Sequence, residues 1–124
     1  MLIIKKEQVK MFEDAAKQAF EDRMVMHLNR CFPEQCAKIG EKGVRDSISE
    51  AVKRTQELGL YMEYDIERYL NHMYALGFDF EKRYSYVQEI FSDPDIEKEE
   101  LMDILGKRTE IELAAHSDTR EVPK

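Results

Sequence analysis

The sequence predicts an all-α protein: a helical bundle of four longer helices with one or two short ones and no stable sheet. Apolar residues recur at spacings of three and four through most of the chain, which is the period of a one-sided helix. The 124 residues hold only three prolines and five glycines, so long irregular stretches have little to build on. Strand-like alternation is absent except at Leu2-Ile3-Ile4.

The first helix is predicted from Lys6 to Arg30, with Val9, Phe12, Ala16, Phe20, Met24, His27 and Cys31 on one stripe. Glu13, Lys17 and Glu21 form i,i+4 pairs on its solvated side. It ends at Phe32-Pro33, because proline disfavours helical geometry in the residue before it. Pro33 suits the first turn of a short second helix to Ile39, which Gly40 closes. A third helix runs from Glu41 or Val44 to Leu58, with Val44, Ile48, Ala51, Thr55 and Leu58 on one face. Gly59 followed by Leu60 reads as a left-handed C-terminal cap with its hydrophobic contact.

The fourth helix, Glu63 to Leu76, carries Ile66, Tyr69, Leu70, Met73 and Leu76, and is expected to end by the same device at Gly77-Phe78. Residues 79–84 read as a short connection. Ser85-Tyr86-Val87-Gln88 fits a capping box that opens a short helix to Phe91. Asp93-Pro94 offers a cap and first-turn proline for a last helix to Ala115, with Leu101, Ile104, Leu105, Arg108 and Ile111 on its stripe. The expected organisation is one helical domain, residues 1–115, and a frayed tail, 116–124. The expected core comprises Val9, Phe12, Phe20, Ile48, Ala51, Ile66, Leu70, Met73, Leu76 and Leu101.

Composition narrows the functional classes. A formal net charge of −7 argues against nucleic-acid and anionic-membrane partners, since phosphate neutralisation needs concentrated Lys and Arg. No stretch has the ~18 apolar residues of a membrane span. The start, Met1-Leu2-Ile3-Ile4-Lys5-Lys6, reverses the charge order of a signal peptide, so the expected location is cytoplasmic and the cysteines are expected to be reduced.

His27 and Cys31 stand four apart on a helix and Cys36 follows, a spacing that suggests metal ligation. A structural zinc site needs four ligands, and no second close pair exists in the sequence, so core packing is the preferred reading and no metal is expected. Ile39-Gly40-Glu41-Lys42-Gly43 matches a nucleic-acid-clamping GxxG loop, but its flanks are helical and acidic. There is no Gly-x-Ser-x-Gly elbow and no His-Glu-x-x-His, and the acidic run of the last helix reads as solvated surface. No catalytic residue and no cofactor are therefore assigned, and the protein is not expected to be an enzyme.

All six tyrosines lie between Tyr61 and Tyr86. Large amphipathic rings bury much area while losing little side-chain entropy, which suits partner surfaces as well as cores. Tyr69 falls on the buried flank of its helix. Tyr61, Tyr64, Tyr74, Tyr84 and Tyr86 are the rings the core explains least, and they form the expected partner-binding set.

Three segments, Leu2 to Gln8, Phe32-Pro33-Glu34-Gln35-Cys36 with Gly40-Glu41, and Tyr69 to Phe80, occur in that order. Together they resemble a group of small all-helical bacterial proteins associated with type VI secretion effector gene clusters. After Phe80 the chain departs from that pattern, with Glu81-Lys82-Arg83-Tyr84 and no tryptophan. The resemblance implies an accessory role, as adaptor or chaperone for a secreted effector, or as the immunity protein that neutralises a toxin. The expected partner is thus another protein: an effector, a toxin or a component of the secretion machine. Self-association is left open, and a cytosolic enzyme or regulator unrelated to secretion is the remaining alternative.

Overall fold

Helix period and proline and glycine punctuation are realised as six helices in the computed structural model, which describes the backbone of residues 6–121 and the side chains of residues 14–115. They are α1 (Lys6–Cys31), α2 (Pro33–Glu57), α3 (Glu63–Leu76), α4 (Phe80–Arg83), α5 (Ser85–Ser92) and α6 (Lys98–Glu121). The protein is all-α, with no strand among the described residues. Leu2-Ile3-Ile4 and the side chains of Val9 and Phe12 lie outside what is described. The chain divides into two units, residues 1–53 and 54–124, with the division falling inside α2. Each is taken by itself.

In the first unit, Phe20, Met24 and Leu28 are the buried residues among the described side chains of α1, each four after the last. Cys31 has a helical angle within about 20° of Phe20, yet it is exposed, and His27 is only half-buried. The expected stripe therefore stops one turn early, because Cys31 is the last residue of the helix. Val44, Ser47, Ile48 and Ala51 are the buried positions of α2 in this unit, and Cys36 is buried before them. Arg45 ties the two helices together, donating to Glu21 at 2.5 Å and to Asp22 at 3.1 Å. The two helices predicted on either side of Gly40 are nearly continuous. Gly40 interrupts α2 with φ 78° and ψ 168°, a conformation that needs a residue without Cβ.

The second unit begins with the end of α2. There Leu60 N–H donates to the Thr55 carbonyl at 2.8 Å and Gly59 N–H to that of Gln56 at 2.9 Å, with Gly59 at φ 81°. This is the Schellman pair, completed by the buried side chain of Leu60. α3 does not end the same way. Gly77 is extended at φ 116° and ψ 149°, its N–H donating to the Met73 carbonyl, and Phe78 is half exposed against Tyr74 rather than tucked under the helix.

The expected connection after residue 79 is in fact α4, one turn with Phe80 fully buried. The capping box at Ser85 does not form. Tyr84 occupies the cap of α5, no side-chain cap bond is made, and Gln88 reaches the Lys82 carbonyl instead. Asp93-Pro94 makes a turn closed by the Asp95 N–H on Asp93 Oδ1 at 2.9 Å, and α6 starts only at Lys98. Its backbone continues to Glu121, past the predicted end at Ala115.

α3 packs against α4 and α6, and α5 against α4 and α6. Ile66, Tyr69, Leu70, Met73, Tyr74, Leu76, Phe80, Val87, Leu101, Met102 and Leu105 form the core of this unit. Among the described side chains of α6 the buried set is Leu101, Met102, Leu105 and Thr109, whereas Arg108 and Ile111 are exposed. The seam turns toward Thr109 because its hydroxyl has polar partners inside, which an apolar periodicity cannot show.

Candidate functional site

The five tyrosines of the expected surface separate into two groups. Tyr61 and Tyr64 are exposed at 73% and 63%, with Met62 between them at 67%. Tyr61 and Met62 precede the first turn of α3 and Tyr64 lies in it, so three large side chains within four residues face solvent. Tyr84 is half-buried at the α5 cap, its ring 6.0 Å from the Arg83 guanidinium. Tyr74 and Tyr86 are buried and leave the set. Tyr74 packs on Phe78 with ring centroids 5.1 Å apart, and the Tyr86 hydroxyl binds Thr109 at 3.0 Å. Both are core rings with a polar tip satisfied or packed inside.

The exposed tyrosines are held by α3. Its inward residues Ile66, Tyr69, Leu70 and Met73 lock the helix down, which fixes Tyr64 on the other side. The Arg68 guanidinium lies 5.1 Å from the Tyr64 ring and also pairs with Asp103 of α6. Gly106 leaves the room for it: a Cβ there would stand 2.9 Å from an Arg68 Nη. Lys98, the first residue of α6, lies over Gly59, where an added Cβ would come within 2.4 Å of its Nζ. The start of α6 and the start of α3 are thus brought side by side.

Two polar networks tie the elements of this unit together. In the first, Arg54 grips Glu81 through Nε at 2.9 and 3.0 Å and Nη2 at 2.7 Å, and the Tyr69 hydroxyl donates to the same carboxylate. Bonding to Glu81 raises the Arg54 guanidinium further above its ordinary value. Burial first, then Glu81, raises the Tyr69 phenol far above its ordinary value. A paired cation, an anion and a neutral phenol lock α2, α3 and α4 together, and all three groups face one another rather than a ligand.

In the second network the donors can be assigned from chemistry. The Arg68 carbonyl only accepts, so His72 Nδ1–H donates to it at 2.9 Å. Nε2 of the neutral ring then accepts from the Thr109 hydroxyl at 3.1 Å, and Thr109 Oγ1 accepts from Tyr86 O–H at 3.0 Å. Burial lowers the His72 imidazole from its ordinary value, in keeping with that tautomer. His72, Thr109, Gly106 and Arg68 line a groove of about 270 Å³ along α3 and α6. Nothing in the sequence marks Thr109 as a hub, since one threonine on a charged helix has no distinctive spacing. Met62 was detectable as a large apolar residue that no helix stripe claims.

His27 and Cys31 do approach each other, Sγ to Nδ1 3.8 Å, on the exposed side of α1. Cys36 is buried, and burial raises its thiol. No group of three or more His, Cys, Asp or Glu among the described residues is disposed to hold a metal ion. No helix among the described residues is long and apolar enough to cross a membrane. No protein-family model matches the chain, and comparison with curated proteins and with solved structures gave no significant match.

Proposed function

We propose that the protein is a non-catalytic protein-binding module whose contact surface centres on Tyr61, Met62 and Tyr64, and that it acts as an adaptor or chaperone for a type VI secretion effector. The observation that carries the binding reading is the exposure of those three large side chains at the start of a helix whose inward face is firmly buried. Rigid aromatic anchors surrounded by polar residues are what interface hot spots are made of. The secretion setting is supported by the resemblance of Leu2–Gln8, Phe32–Cys36 and Tyr69–Phe80 to proteins of such gene clusters.

The test is direct binding between the full chain and the products of adjacent genes, measured by calorimetry. Replacing Tyr61 and Tyr64 together by alanine should weaken the complex by ≥ ~2 kcal/mol while leaving the circular dichroism spectrum unchanged. An unaltered affinity in the double variant would refute this surface. Co-expression then distinguishes the role: an adaptor sustains effector stability or export without protecting cells, whereas protection from toxicity would identify an immunity protein instead.

A further inference from the structure

The surface around the exposed tyrosines has a charge as well as a shape. Residues 57–68 contain four carboxylates and one base, and residues 93–103 contain six carboxylates and one base. These two stretches adjoin each other, because Lys98 covers Gly59 and Arg68 touches both Tyr64 and Asp103. Of the two bases, Arg68 is part-buried and already paired with Asp103, while Lys98 is exposed over Gly59, so among the described residues a single free base faces this set of carboxylates. Glu63, Glu97, Glu99, Glu100 and Asp103 are exposed. Each helix N-terminus offsets only about half a charge, so first-turn acids at α3 and α6 leave the surface strongly negative.

Resting on the protein-binding reading, we infer that the occupant of this surface is a basic amphipathic segment of a protein, with an apolar or aromatic row set against Tyr61, Met62 and Tyr64 and Lys or Arg set against the carboxylates at the start of α6. Phosphate-bearing partners are repelled by the same charges that attract such a segment. Partner lysines and arginines would also extend the stacking that Arg68 already makes on Tyr64.

The experiment titrates the isotopically labelled full chain with three short synthetic helical peptides. One carries a leucine face and a lysine face; in the second, glutamate replaces lysine; in the third, serine replaces leucine. The leucine–lysine peptide should shift amides in 61–68 and 97–103, bind more tightly than either control, and weaken about 10-fold between low and physiological salt. Tyr64→Ala, and Glu99→Lys with Glu100→Lys, should each weaken it at least about 10-fold in protein that keeps its helical spectrum. Equal binding of the leucine–glutamate peptide at the same amides would overturn the charge assignment while leaving the protein-binding surface intact. Equal binding of the serine–lysine peptide would overturn the amphipathic requirement. Shifts confined to other residues, or no binding by any peptide, would overturn the assignment of this surface altogether.

Discussion

Thr109 shows how much a single side chain can hold. Its hydroxyl donates to His72 and accepts from Tyr86, so it satisfies two buried groups on two other helices. Thr109→Val keeps the shape and removes both bonds; it should destabilise by ~1–3 kcal/mol, read from urea unfolding. Thr109→Ser should recover most of that loss. His72 adds a pH dependence. Burial holds its folded-state value below the ordinary imidazole value of ~6.5, so as pH drops below that point the unfolded chain takes up a proton that the folded one resists. The His72 contribution is full well above about pH 6.5 and is lost as pH falls through that value, and His72→Gln should flatten the decline between about pH 7.5 and 5.5 in the same urea experiment. Such polar positions were hidden in the sequence, because apolar spacing registers Leu101 and Leu105 but treats threonine as a neutral residue. Tyr74 and Tyr86 were hidden for the converse reason: a tyrosine signals interface and core alike, and only the fold decides which.

At the scale of the element, helix existence was legible and helix ends were less so. The signal at Gly59-Leu60 was complete in the sequence, since the motif uses only local backbone bonds and one adjacent apolar residue. Gly59→Ala should cost ~1–2 kcal/mol in thermal or chemical unfolding, as an L-residue is forced to φ 81° and the Lys98 side chain must move aside. Gly77 looked alike in sequence, yet it serves the entry to α4, where buried Phe80 rather than Phe78 supplies the apolar anchor. Long-range packing chose between two identical local signals. Gly106 carries the opposite expectation. Ala is favoured over Gly in a helix by ~1 kcal/mol, and the atom its Cβ would meet is the mobile end of Arg68. Gly106→Ala should therefore stabilise by somewhat under ~1 kcal/mol while loosening the Arg68–Asp103 pair, visible as a change in the Asp103 and Tyr64 resonances.

Across the whole molecule the all-α class was fully legible, because it is a sum over many weak periodic signals and tolerates errors in each. The candidate surface was legible in part: Tyr61 and Tyr64 stood out, whereas the acidic start of α6 joined them only once Lys98 and Arg68 were seen to bridge the two segments. Core substitutions in the second unit should be the most damaging. Leu70→Ala, at a fully buried position, is expected to cost ~2–5 kcal/mol, measurable by denaturant unfolding.

The confinement of all six tyrosines to residues 61–86, in a chain without tryptophan, makes tyrosine emission a private optical channel of the second unit. Far-ultraviolet ellipticity sums over helices from Lys6 to Glu121 and so reads both. Melting one sample under both detectors therefore measures cooperativity with no label attached. If residues 1–115 melt as a single domain, the two curves share one midpoint; a midpoint for emission displaced from that for ellipticity would mean that each unit melts on its own.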